Sequence, residues 1–380
     1  FYRCVRSNHP KIKPWGDKFQ LILGKKKTTG RFYTAKIGKG VNVYFVDCSK
    51  YYDRKGIYQE SGTDYSDNPE RYIFFSKSVL LLAKRLRRQP DILHCHDWQT
   101  GLIPLMNMQD KSSKSQTCLT IHNLAYQGVF DANFFELTNL PKIFFKPVGI
   151  EFYGRINFLK AGIVFANKLT TVSPTYAKEI LTEKFGEGLS GVVKNREADL
   201  TGILNGADYL QWRTTKNKFL QSEYSGENLT GKYKNKRLIR QELRLSSKDK
   251  GVPIYSFIGR LAHQKGVHLL LETLPHLLRK YNIHFILLGA GDPYLENQCY
   301  KIASQFPNQT RFITEYNESL AHRIKAGSDF LLMPSLYEPC GLNQMYALRY
   351  GTIPIVNSVG GLNDSIIDIN RNPFLGNGFK

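Results

Sequence analysis

Two cations and one carboxylate stand where a chain can do phosphate chemistry. Gly259-Arg260-Leu261-Ala262-His263-Gln264-Lys265-Gly266 sets Arg260 and Lys265 five residues apart, just after the apolar run Pro253–Ile258. A guanidinium can fork onto a phosphate and an ammonium can sit beside it as a point charge. Together they can neutralise the diphosphate leaving group of a nucleotide sugar. The second element is Pro334-Ser335-Leu336-Tyr337-Glu338-Pro339-Cys340-Gly341-Leu342-Asn343-Gln344. It follows the apolar run Phe330–Met333, which reads as a buried parallel strand, and precedes a helix-like stretch stopped by Gly351. Glu338 and the backbone N–H groups near Cys340, Gly341 and Leu342 therefore fall at a strand-to-helix turn, where open α/β sheets bind ligands and helix starts bind phosphate.

Those turns need a scaffold, and the pattern supplies one. Short apolar strands alternate with helical stretches: Asp91–His96, Thr117–Ile121, Lys168–Val172 and Leu200–Leu204 in the first part, then Pro253–Ile258, His284–Leu288, Arg311–Thr314, Phe330–Met333 and Ile353–Val356. Such alternation predicts parallel sheets with helices on both faces. A polar, basic, strand-poor segment from Arg213 to Gly251 separates the two series. The expectation is an α/β protein of two doubly wound domains, residues 1–247 and 248–380, joined near Lys248–Pro253. If the domains face each other across a cleft, the strand ends that carry every unusual cluster converge on it.

Composition narrows the function classes. The chain has 380 residues, enough for two cores, and is 42% hydrophobic. No apolar run approaches the roughly 20 residues of a membrane span, so no membrane partner is expected. Six cysteines (Cys4, Cys48, Cys95, Cys118, Cys299, Cys340) are scattered, with no Cys-x-x-Cys pair, so neither a zinc ribbon nor a disulfide framework is expected. Reduced thiols point to cytosol or plastid stroma. The net charge of +21 suits anionic partners, but the basic residues are spread out, with short clusters only at Lys25–Lys27 and Lys232–Arg240. No nucleic-acid motif accompanies them, and no nucleic-acid partner is expected.

His94-Cys95-His96-Asp97-Trp98 carries two histidines that share a strand face, as metal ligands do. No further ligand cluster lies nearby, so the reading is no metal and no cofactor. No Asp-x-Asp triplet occurs, which argues against a manganese-dependent glycosyltransferase.

These blocks resemble the glycogen and bacterial-type starch synthases. The resemblance rests on Glu338-Pro-Cys-Gly-Leu-Asn-Gln344, Ala347-Leu-Arg-Tyr-Gly-Thr352, Gly360-Gly-Leu-Asn-Asp364, Arg260-Leu-x-x-Gln-Lys-Gly266, Asp91-Ile-x-His-x-His-Asp-Trp98, Ile121-His-Asn-Leu-Ala-Tyr-Gln-Gly128 and Gly289-Ala-Gly-Asp-Pro293. It spans about Tyr52 to Asp364. It implies the two-domain GT-B fold, with the glucan side in the first domain and the nucleotide sugar in the second. The activity implied is a retaining, metal-independent transfer of glucose from ADP-glucose to the non-reducing end of an α-1,4-glucan. By the same resemblance Arg260 and Lys265 bind the donor diphosphate, Glu338 holds the donor sugar, and Cys340, Gly341, Leu342 and Asn343 cap the phosphate. His122 would lie beneath the anomeric carbon, its carbonyl or ring stabilising an oxocarbenium-like transition state. Asp97 and Trp98 would contact glucan or donor sugar, Asn205 would belong to the Gly202-Ile-Leu-Asn-Gly206 block, and Tyr316 would stack on the nucleobase.

The chain also departs from the family. Leu336 stands where many members have Arg, and Asn343 where they have Thr or Ser. Asp208 and Trp212 are kept, but the Asn-Pro that usually follows Trp212 is lost. No Lys-x-Gly-Gly-Leu block precedes Gly30, and the crossing-back C-terminal helical segment is absent, so an incomplete first domain and a truncated second one are expected. Two alternatives stay open: a non-catalytic glucan-binding relative, and a UDP-sugar transferase of the sucrose or trehalose type. Against the latter, Tyr346 stands where many such enzymes place a second glutamate. The oligomeric state is left unspecified.

Overall fold

A computed structural model describes residues 11–60, 62–246, 251–315 and 317–380. The boundary expected at 247/248 falls outside them. By Cα proximity the chain forms two compact units, 1–170 with 180–201, and 171–179 with 202–380.

The first unit opens on an antiparallel meander that the β-α alternation did not announce. Its strands are β1 (Lys13–Leu23), β2 (Lys26–Ile37) and β3 (Val41–Asp47). Phe19 of β1 stacks on Phe32 of β2 at 4.4 Å, and both are buried. Helix α1 (Asn68–Arg85) adds Phe74, 6.0 Å from Phe19. Its Lys77 donates to the Ile22 carbonyl at 2.7 Å and to Asn139 Oδ1 at 2.6 Å. Burial pulls the Lys77 amine down to about 8.

The α/β part of this unit runs β4 (Ile92–His96), α2 (Ile103–Gln109), β5 (Gln116–Ile121), α3 (Phe158–Phe165), β6 (Lys168–Thr171) and, after α4 (Pro174–Glu179), β7 (Leu200–Gly202). The four strands order as β7-β6-β5-β4. Strands β4 and β5 are parallel, with His96 opposite Thr120. Asp97 and His122 therefore leave the sheet at the same end.

In the second unit α5 (Thr230–Glu242) precedes β8 (Ile254–Ile258), α6 (Val267–Lys280), β9 (His284–Leu288), α7 (Pro293–Gln305), β10 (Thr310–Ile313), α8 (Glu318–Gly327), β11 (Phe330–Met333), α9 (Asn343–Arg349), β12 (Ile353–Val356) and α10 (Gly360–Ser365). The sheet is all parallel, ordered β10-β9-β8-β11-β12. Strand β9 is buried along its whole length, as a central parallel strand must be. Its side chains divide by parity: Phe285 and Leu287 pack with Leu270, Leu271 and Leu274 of α6, while Ile286 and Leu288 pack with Leu320 and Ile324 of α8. Each such side chain contributes about 1.5–3 kcal/mol on burial. The strand order reverses between β8 and β11, so the turns after these two strands flank the topological switch point. Those turns carry Arg260, Lys265 and Glu338.

The segment 171–179 belongs to this second unit through α10. Thr175 donates from its backbone and its hydroxyl to Asp364, at 2.7 and 2.6 Å, and Gly360 N–H donates to Glu179 at 2.9 Å. No helix among the described residues is long and apolar enough to cross a membrane.

Candidate active site

In the second unit the two turns at the switch point are joined backbone to backbone. Leu336 N–H donates to the Gln264 carbonyl at 2.9 Å, and Gln264 Nε2 donates to the Tyr337 carbonyl at 3.3 Å. Gly266 sits between them at φ 65°, and a Cβ there would come within 1.9 Å of the Pro334 carbonyl oxygen. Only glycine fits both the left-handed backbone and that approach. The result is a direct ion pair: Lys265 Nζ lies 2.6 Å from Glu338 Oε2. Ser335 Oγ donates to the same oxygen at 3.0 Å. Glu338 is 6% exposed, so its charge is desolvated and answered by these two donors.

The far side of the Glu338 loop rests on α10. Gly361 N–H donates to the Glu338 carbonyl at 3.0 Å. A Cβ on Gly360, at φ 43°, would meet that same oxygen at 2.1 Å. Ser173 Oγ donates to the Pro339 carbonyl at 2.6 Å. Cys340 is buried, which pushes its thiol up; the backbone N–H of Asn205 beside it acts the other way. Asn205 thus meets the loop through its backbone. Leu342 is more than a third exposed and starts α9. Gln344 is fully buried and donates to the Cys340 and Gly341 carbonyls at 3.0 and 3.1 Å, fixing the turn.

Arg260 lines a cavity of about 340 Å³ at the ends of β8 and β9, whose walls include Trp212, Gly259, Ala290, Asn317, Lys325 and Asn343. Asn343 does not offer its amide to the cavity alone: Nδ2 donates to the Ile258 carbonyl at 2.8 Å, tying α9 to the end of β8. Trp212 is stacked on His322 (4.0 Å, 5°) and on Tyr346 (4.3 Å, 10°). This wall was only half visible in the sequence, where Trp212 stood out as a retained residue and Lys325 not at all. Lys325 falls at the helical spacing of Glu318 and Ala321, and a lysine there reads as a solvated face. Tyr316, expected at the nucleobase, lies outside the described residues.

In the first unit the cluster at the ends of β4 and β5 is built around Asp97. Its backbone is left-handed, φ 54°, a conformation that costs a non-glycine residue about 1–3 kcal/mol. The return is geometric: Asp97 Oδ1 accepts the His122 backbone N–H at 2.7 Å. Burial raises the Asp97 carboxyl above its usual range, opposed by the His122 N–H and charge and by the Asn123 N–H. His96 Nδ1 lies 2.9 Å from His122 Nε2. The His94 and His96 rings are 4.3 Å apart, and His94 Nε2 is 2.6 Å from Thr120 Oγ1. Burial first, then the neighbouring His94 and His122, lowers His96 from its ordinary value and favours a neutral ring. Among the described residues no group of three or more His, Cys, Asp or Glu is placed to hold a metal ion.

Trp98, beside Asp97, packs into aromatic neighbours. It is 8% exposed, with Tyr72 edge-on at 4.5 Å and Phe130 at 5.7 Å. Its ring is taken up by an aromatic core that holds the Asp97 turn in place.

Comparison with known proteins agrees with this geometry. Residues 1–195 match the family described as the starch synthase catalytic domain, and residues 239–377 match glycosyl transferases group 1. The chain is 45% identical over 343 residues to glycogen synthase 2 of Nitrosococcus oceani, covering 89% of this chain and 69% of that one. It is 41% identical to the glycogen synthase of Thermosipho melanesiensis over 100% of this chain and 78% of the relative. Among solved structures, the catalytic domain of starch synthase IV from Arabidopsis thaliana, bound to ADP and acarbose, superposes with a TM-score of 0.88 at 33% identity, covering 97% of this chain and 77% of that one. The two Rossmann-like units are those of a GT-B glycosyltransferase, and the chain belongs to the glycogen/starch synthase family.

Proposed function

We propose that this synthase takes its glucose from ADP-glucose and adds it, with retention, to the non-reducing end of an α-1,4-glucan. The observation that carries the reading is the Lys265–Glu338 pair at the switch point, beside Arg260 and its cavity. Departure of the glucosyl group leaves new negative charge on the diphosphate. Arg260 and Lys265 are the cations assigned to it. Glu338 holds Lys265 in register and is assigned to the donor sugar, its second oxygen being the atom for a hydroxyl. Residues 340–343 are assigned to the phosphate as a backbone cap, with the Asn343 side chain acting mainly on the Ile258 carbonyl. His122 is assigned to the oxocarbenium-like transition state through its carbonyl or ring, and Asp97 orients it. Asn205 supports the Cys340 loop, and Tyr316 is assigned to the nucleobase. In a front-face displacement the acceptor O4–H bonds to C1 as the C1–O bond to phosphate breaks, and its proton passes to the departing phosphate oxygen. No enzyme nucleophile enters.

The ADP bound to the starch synthase IV structure supports the adenine choice, and relatives named glycogen synthases support a glucan acceptor. We assign the first unit to the glucan side and the second, which carries Trp212 and the Arg260 cavity, to the nucleotide-sugar side, and a bacterial cytosol or plastid stroma as the compartment. The deciding experiment is transfer of radiolabelled glucose to glycogen from ADP-glucose and UDP-glucose side by side, with and without excess EDTA. Faster transfer from ADP-glucose, undiminished by EDTA, is expected. Preference for UDP-glucose would overturn the donor assignment, and loss of activity in EDTA would overturn the metal-free mechanism.

A further inference from the structure

Lys325 is the residue in the second unit that its surroundings do not explain. It is 0% exposed, and Nζ has no hydrogen-bond partner among the described residues. Its neighbour is a ring: Nζ lies 4.5 Å from the centre of Trp212. A buried ammonium without an acceptor is costly, and a methionine would fill the same space without that cost. The nearby acids do not serve it. Glu318, two turns back on the same helix, is partly exposed, accepts from Gln211 Nε2 and lies 4.0 Å from His322. Glu315 is also at the exposed rim. Burial alone pulls the Lys325 amine down to about 7.

The side chain lies in the wall of the cavity that also holds Arg260. An unsatisfied donor in a cavity wall is satisfied by what fills the cavity. Arg260 and Lys265 are assigned to phosphate. Lys325 shares the cavity wall with Trp212, Ala321, Ile258 and Leu288, apolar surroundings that suit a base and ribose better than a diphosphate.

We propose that Lys325 is a specificity-determining residue of the donor cavity, its Nζ taking an acceptor atom of the donor's nucleoside. The proposal rests on the donor reading above and goes one step further, from the class of donor to the group that reads it. Because a buried polar donor punishes a ligand that leaves it unpaired, such a residue discriminates between bases more than it adds to uniform affinity.

The test is calorimetric binding of ADP, UDP and inorganic pyrophosphate to the wild-type chain and to Lys325→Met and Lys325→Gln, with donor and glucan KM measured alongside. The expected result is a loss of about tenfold in ADP affinity in both variants. The ADP-to-UDP ratio should change, while pyrophosphate affinity and glucan KM should not. Lys325→Met should fold and melt above the wild type when ligand-free, and gain less from ADP. Unchanged ADP affinity and an unchanged ratio in both variants would overturn the proposal, as would a parallel loss of pyrophosphate binding, which would move the contact to phosphate. If the wild type itself bound neither nucleotide, the donor reading would fail, and this inference with it.

Discussion

The two units hold their functional residues by opposite means. In the second, the turns after β8 and β11 are locked to each other by backbone hydrogen bonds, a glycine that fits no side chain, and a half-buried ion pair. In the first, the cluster at β4 and β5 hangs on one strained aspartate and a chain of imidazoles, with the aromatic core behind. The second unit is thus over-determined, as suits groups assigned to a fixed diphosphate. The other side has fewer constraints and more titratable atoms. The lesson is that backbone contacts set where charge is presented in one unit, whereas a single side chain does so in the other.

That contrast can be broken most strongly at the ion pair. Lys265→Ala or Glu338→Ala should lower kcat by about 10²–10³-fold. Circular dichroism of both should stay native, because both side chains lie in the turns after β8 and β11 and outside the apolar clusters that pack the sheet. Wild-type-like turnover in either would remove the mechanism. Asp97→Ala, which withdraws the acceptor of the His122 N–H, should cost about 10–100-fold in kcat with donor KM little changed. Asp97→Asn keeps an oxygen in place and should recover most of that loss. An equal loss in both would show that the charge matters and the anchoring does not. Steady-state kinetics on the three proteins decide it.

A backbone lock predicts a different failure. Gly266→Ala must meet the Pro334 carbonyl, so it should destabilise the fold by about 1–3 kcal/mol in urea denaturation. A neutral result would mean that the 260–266 turn yields more easily than its contacts imply.

The smallest effect is on pH dependence. Lys325 and Lys232 are pulled by burial to about 7 from an ordinary 10.5. From about pH 7 upward the unfolded chain keeps protons that the folded chain has released, so stability rises with pH. Each group contributes at most about 1.4 kcal/mol per pH unit. Lys325→Met should be the more stable protein near pH 7, with the gap closing by about pH 9 as the wild type gains. A constant gap between melting curves across that range would show that Lys325 keeps its proton in the fold.

How much of this was legible beforehand follows from what kind of residue carries each feature. The turns with Arg260, Lys265 and Glu338 announce themselves, because charge, glycine and proline interrupt apolar runs at strand ends. The parallel sheet of the second unit is legible for the same reason. The meander of β1 to β3 is less so: β1 and β2 are half exposed and break their apolar residues with lysines, and only β3 carries a short apolar run. The packing of Trp98 is not legible either, because an aromatic next to an aspartate at a strand end fits stacking on a sugar and packing in a core equally in the sequence. Lys325 was silent because lysine on a helix is ordinary until its amine is found without water. Asn343 reads in the sequence as a hydrogen-bond donor, and only the fold shows that its amide reaches the Ile258 carbonyl.

The small segment 171–179 has a practical consequence. It is anchored to α10 through Thr175 and Glu179 and to the Glu338 loop through Ser173, yet residues on either side of it in the sequence belong to the other unit. A gene fragment cut at 201/202 to isolate the second unit would leave Asp364 and the Pro339 carbonyl without their donors from Thr175 and Ser173. Excising or swapping that half therefore calls for a graft in two pieces, or a circularly permuted fragment that carries the nine residues along.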